Sequence, residues 1–370
     1  MRNQSSLKCS LLLAIIGLLL SGPQLVIGQE EVDLSVPTFD AKPLVWLDDW
    51  KPSTQEASAK RSEAQAQVRV ADLLKSTGRY GKAEEAYLKA MEMDASWAYP
   101  PYQLACNYEL SNQHEKAVPV FKKAIELGFA DFPTALGDDE LGELRKAADF
   151  RKTLAKIREL YIADGKQKVG TPIAVRPEGE KPKDGWPLIM MLHGFGDNNV
   201  NYIDLAKAWS KLGFVAVAVP GSVPGEDGRF MWANESTEPT LQDLRSIVKT
   251  KSVSEIVNPK KVFLLGFSQG ALHSLLLTAE HRDEFAGVVA LSPGGSLSGK
   301  MIVPKISAGR KGRLVFLHGS DEPHAPIAAR WKSACAKSGW DFMTSVHQGG
   351  HHFPGDWEDQ RAKVAEFLLK

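Results

Sequence analysis

The sequence predicts an α/β domain built on a mostly parallel sheet, preceded by an all-α module of helical repeats. Three observations carry this. Apolar runs of strand length alternate with helical stretches from about residue 165 onward. The stretch before them repeats itself at an interval of 34 residues. And 370 residues exceed one ordinary domain, which favours two. Composition narrows the field further. The 45 Lys and Arg balance 45 Asp and Glu, so no bulk field draws nucleic acid or anionic lipid, and neither is expected as a partner. A hydrophobic fraction of 43% and a charged fraction of 24% suit a globular chain and exclude wholesale disorder and a polytopic membrane protein.

Taken in order, residues 1–28 have the layout of a secretory leader. Arg2 and Lys8 precede a ten-residue apolar run, 11–20, which Gly22-Pro23 breaks, and Val26 and Gly28 suit cleavage before Gln29. The run is short of the ~20 residues that span a bilayer. Export to a periplasm or the medium, without a stable membrane span, is the expectation. Residues 29–61 read as a linker leading into a helix, with Trp46 and Trp50 packing against the neighbouring domain.

In the next stretch, 62–160, the segment 78–90 aligns with 112–124: Ala83 with Ala117, Tyr87 with Phe121, Ala90 with Ala124. A small–large–small set at helical spacing lets two antiparallel helices pack closely. The segment resembles tetratricopeptide repeats. Residues 131–160, with Leu136, Leu141, Leu144, Phe150, Leu154 and Ile157, read as a cap. Two repeats and a cap are few for a free-standing stack, so the module should lean on its neighbour. It is read as a spacer, with a protein partner as the other function such modules serve. Cysteine is scarce (Cys9, Cys106, Cys335) and forms no CxxC pair, which argues against a zinc ribbon or dithiol site and for buried free thiols.

From 165 to 370, strands are expected at 188–192, 214–219, 261–265, 287–291, 313–317 and 342–346. Helices are expected between them, with a last one near 357–369. Active groups in such a sheet sit on loops beyond the carboxyl ends of the strands. There, a strand runs into Gly266-Phe267-Ser268-Gln269-Gly270 and then a helix. This GxSxG pattern is meaningful in a strand–turn–helix setting: a tight turn excludes side chains at 266 and 270 and projects the serine hydroxyl. An acyl-transfer serine needs two amides for the oxyanion, expected from Gln269 and from Phe195 in the loop after an earlier strand. His193, early in the chain, is read as bracing that loop. A serine also needs a base oriented by an acid, in the chain order Ser, acid, His. Asp321 and Glu322 follow one strand; His351 and His352 follow the last, and the Gly349-Gly350 pair gives His351 the sharper path back to the serine.

LHGFGD at 192–197, GFSQG at 266–270, HGSDEP at 318–323 and GGHHFP at 349–354 together resemble the α/β-hydrolases of the carboxylesterase and acyl-thioesterase kind. That resemblance implies hydrolysis of a small-molecule or polymer-linked ester or thioester, without metal or cofactor. The family writes its acid motif HG-x-x-Asp-Pro. Here a gapless match puts Glu322 at the acid position and Asp321 one residue early, and both stay candidates. Met231 and Trp232, in the long loop 221–239, are read in two ways, as lining the acyl pocket or as surface packing. Two rivals stand beside the esterase: a repeat-based binding protein with an inactive hydrolase fold, and a serine peptidase of the same fold.

Overall fold

Small residues at the repeat positions let the first helices approach closely. In the computed structural model, which describes residues 33–51, 59–225 and 228–370, α1 (Ala59–Ser76) packs on α2 (Tyr80–Met93) and α3 (Tyr99–Leu110) on α4 (His114–Glu126). Ala83, Tyr87, Ala90, Ala117, Phe121 and Ala124 are all buried at these contacts. The cap is α5 (Phe132–Gly137), a short 3-10 segment at 139–146, and α6 (Phe150–Lys168). The leader expected at 1–28 lies outside the described residues. No helix among the described residues is long and apolar enough to cross a membrane.

The α6 helix runs through the 160–165 boundary read from the sequence. Gly165 does not stop it. A Cβ there would lie 2.5 Å from the Phe39 ring, so the glycine makes room for an aromatic from the N-terminal stretch. That stretch does more than link. Val45–Trp46 form an edge strand, β1, and Leu34, Val36 and Phe39 pack against the helical core. Trp46 is buried with the Arg176 guanidinium 4.0 Å over its ring. The apolar residues of this stretch are too sparse to show a period, which is why the sequence reads as linker.

The strands beyond β1 are β2 (Ile173–Val175), β3 (Trp186–Leu192), β4 (Val215–Val219), β5 (Val223–Pro224), β6 (Phe230–Met231), β7 (Val257–Phe267), β8 (Gly287–Leu291), β9 (Arg313–Gly319) and β10 (Asp341–His347). The main sheet has the order β1-β2-β4-β3-β7-β8-β9-β10, and β5 and β6 form a small hairpin apart from it. All pairs in the main sheet are parallel except β2 with β4. Successive residues of each central strand feed opposite layers. Leu188, Met190 and Leu192 enter one core and Ile189 and Met191 the other, which explains the unbroken apolar runs. The first layer is covered by α8 (Glu238–Lys249), α9 (Lys251–Ser254), α10 (Gln269–Glu280), α11 (Ser298–Ile302) and α12 (Ala325–Lys337); the second by α7 (Ile203–Ser210) and α13 (Trp357–Leu369). Cys106 and Cys335 are free and buried. The strand order reverses direction at β3 and β7, so the loops after those two strands flank a crevice at the carboxyl edge of the sheet.

Candidate active site

Ser268 sits between β7 and α10 with φ 54° and ψ −119°, a strained conformation for a residue with a Cβ. Its amide donates to Leu291 O at 3.0 Å and pins the turn to the next strand. The flanking glycines are required by space. A Cβ on Gly266 would overlap the Gly270 carbonyl, and one on Gly270 would overlap Leu192 O. The turn therefore sits directly on the end of β3, beside the loop that carries Phe195.

Three of the expected side chains meet. His351 Nε2 is 2.8 Å from Ser268 Oγ, and His351 Nδ1 is 2.7 Å from Glu322 Oε1. A carboxylate can only accept at Nδ1, so the ring proton sits there and Nε2 is left to accept from the serine hydroxyl. The His351 ring rests on Phe267, centroids 4.9 Å apart, and is half exposed. Asp321 does not join them. It is exposed and accepts from the Ser320 hydroxyl at 3.0 Å. His352 turns away: its Nδ1 bonds Phe353 O at 2.7 Å and its ring lies against His347.

Glu322 is held from its far side. Oε2 accepts from Ser292 Oγ at 2.6 Å and from the Gly319 amide at 2.7 Å. Burial pushes this carboxyl up, but the hydrogen bonds from Ser292, His351 and Gly319, with His324 nearby, outweigh it and hold it below its ordinary value. Ser292 is the residue that sequence reasoning missed. It has φ 48° and no exposure, and its one signal is its place as the first polar residue after the apolar strand β8. Gly319 makes the arrangement compact: a Cβ there would overlap Gly349 O, so the acid loop and the histidine loop touch backbone to backbone.

On the other side of Ser268, Gln269 opens α10, so its amide is one of the helix's unpaired first donors. Phe195 stands at the tip of the loop after β3, its side chain 63% exposed. His193 is structural, as its early position suggests. It is buried, bonds Gly194 O through Nδ1 at 2.7 Å and accepts from the Gly221 amide at Nε2. Burial pulls it down to about 4, so it stays neutral at ordinary pH. Met231 and Trp232 are a correction: they do not line an open pocket. Trp232 is 1% exposed and bonds His193 O and Gln269; Met231 is 8% exposed and packs into the core of the helical module. Composition flagged a pair of large apolar side chains, and burial in two different cores accounts for both. Among the described residues, Cys106, Asp138 and Glu140 could together face a cation. Burial pushes the thiol well up, and the Lys75 ammonium already pairs with Glu140, so the group does not suit a metal.

A family model described as serine aminopeptidase, S33, matches residues 186–318, and a tetratricopeptide repeat model matches 64–96 and 102–127. The chain has an α/β-hydrolase fold behind helices that resemble tetratricopeptide repeats. The hydrolase is 25% identical to acyl-protein thioesterase 1 of Saccharomyces cerevisiae over 213 residues, 49% of this chain and 91% of the relative. It is 28% identical to a presumed esterase of Nocardia uniformis over 158 residues, 39% of this chain, and it spans 42% of that relative. Among solved structures, a carboxylesterase of Bacillus cereus superposes with a TM-score of 0.43 at 14% identity, covering 54% of this chain and 94% of its own. The matched span of the peptidase model ends at residue 318, before Glu322 and His351.

Proposed function

We propose that the hydrolase cleaves a carboxylic ester or thioester through an acyl-enzyme on Ser268. The observation that carries this is the continuous contact from the Ser268 hydroxyl through His351 to the buried Glu322 carboxylate, on a strained strand–helix turn. In this reading His351 takes the Ser268 proton as Oγ attacks the acyl carbon, and Glu322 stabilises the imidazolium. The tetrahedral oxygen takes the Phe195 and Gln269 amides, helped by the N-terminus of α10. His351 then returns its proton to the leaving alcohol or thiol. Water, deprotonated by the same ring, releases the acid and restores the serine. The thioesterase and esterase relatives support an ester or thioester substrate.

The peptidase description of the matching family keeps a second reading in play, in which the same groups open an amide bond. Kinetics on matched acyl substrates separates the two. p-Nitrophenyl esters and acyl thioesters should turn over, aminoacyl anilides should not, and Ser268→Ala should abolish both turnover and fluorophosphonate labelling. Labelling that survives in Ser268→Ala overturns the assignment.

A further inference from the structure

The loop that carries Phe195 is held from outside its own strand. The Gly196 amide donates to Phe230 O at 3.0 Å, and the Phe230 amide to Asp197 O at 2.8 Å. The Asn198 side-chain amide reaches Gly228 O. The Trp232 indole donates to His193 O at 2.8 Å, and the Gly221 amide to His193 Nε2 at 3.0 Å. These hydrogen bonds hang residues 193–198 on the segment 221–232. Phe195 lies between two glycines with its own side chain in solvent, so the position of its amide is set by these neighbours.

The other side of that segment is gripped by the repeats. Val223 and Met231 are buried in the same apolar core as Tyr87, Tyr102 and Phe132 of the helical module. Pro224 and Gly225 face Tyr161 and Asp131, with β5 lying along α6. The Phe39 amide donates to Ser222 O at 2.9 Å, and its ring packs edge-on to Tyr161, centroids 5.5 Å apart. Adjacent residues therefore face opposite ways. Met231 points into the repeat core and Trp232 into the core of the sheet, its indole on His193 O and its backbone paired with the Gln269 carboxamide at 3.0 and 2.9 Å.

We propose that the repeat module is a working part of the active site: it anchors the 221–232 segment, and that segment places the Phe195 amide for the oxyanion. The proposal rests on the acyl-enzyme reading of Ser268, and makes Val223 and Met231 positioning residues. A single lost oxyanion donor costs about 100- to 1,000-fold in kcat. A displaced one should cost less, about 10- to 100-fold, while KM, set by ground-state contacts, moves by about twofold or less.

The test uses the full chain. Met231→Ala empties a side chain from the repeat core, Met231→Leu keeps its volume, and Val223→Ala makes a smaller gap on the same face should Met231→Ala fail to fold. Two readouts are taken: steady-state kinetics on p-nitrophenyl acetate, and hydrogen exchange of the peptide containing 193–198. The second needs no activity. The expected result is faster exchange at 193–198 and a fall in kcat in the Ala variants, with exchange over β10 unchanged and both effects restored by Leu. Unchanged exchange at 193–198 in a folded Ala variant overturns the anchor. Faster exchange with unchanged kcat overturns the link to catalysis. Turnover that persists in the Ser268→Ala control removes the acyl-enzyme reading instead, and the exchange data then judge the anchor by themselves.

Discussion

Replacing Glu322 by Gln should disable the hydrolase while leaving its fold in place. The effect comes from where the two carboxylate oxygens go. Oε2 accepts two hydrogen bonds, from Ser292 Oγ and the Gly319 amide, and Oε1 accepts one, from His351 Nδ1. In the Glu322→Gln variant the one remaining side-chain oxygen is claimed by the side with the backbone N–H, because a buried donor facing another donor is left unsatisfied. The new NH2 group then faces His351 and forces Nδ1 to accept. The ring proton moves to Nε2 and points at Ser268 Oγ, where a base is needed. An acid-to-amide change with this consequence costs about 10,000-fold in kcat, or about 5 kcal/mol of transition-state stabilisation. Asp321→Asn changes an exposed side chain that touches only Ser320, so kcat should stay within about twofold of the parent. Both variants are assayed on p-nitrophenyl acetate, with thermal melts to show that each is folded. A Glu322→Gln enzyme that keeps a large part of its activity, or an Asp321→Asn enzyme that loses more than Glu322→Gln, refutes the tautomer argument.

Among the histidines, His351→Ala should lower kcat by several powers of ten, whereas His352→Ala, which loses a local bond to Phe353 O and a ring contact with His347 but nothing at Ser268, should stay within about threefold; the reverse order in paired kinetics would move the base to His352. Stability should also depend on pH through His273, which is buried beside Thr240 and pulled by burial from 6.5 to about 4. Between those values the unfolded chain binds a proton that the folded chain refuses, so this contribution is complete above pH 6.5 and falls as pH drops toward 4. At pH ~5 the loss is about 2 kcal/mol. Urea denaturation at neutral pH and near pH ~5 should therefore show a smaller acid-induced loss in His273→Gln than in the parent, and equal losses would show that the buried ring does not resist protonation.

Much of this protein is legible along the chain. Strand-length apolar runs separated by helices announce a parallel sheet, because strands covered on both faces need no polar alternation. The 34-residue interval announces paired helices, because packing distance depends on where the alanines recur. The elbow around Ser268 is legible too, since its glycines answer to local space. What lay beyond the sequence depends on contacts between distant segments. Asp321 and Glu322 are neighbours of equal charge, and only the fold turns one toward solvent and the other toward His351. Ser292 has no motif of its own, and becomes meaningful when β8 and β9 bring it to Glu322. Composition leaves Met231 and Trp232 open between an acyl pocket and surface packing. The fold instead sends Met231 into the helical core and Trp232 into the core of the sheet, because consecutive side chains in extended backbone point to opposite faces. Local sequence determines which elements form and where a tight turn must bend. Which side chains meet is a property of the packed chain, since each such contact spans tens of residues and is selected by the cores on either side of it.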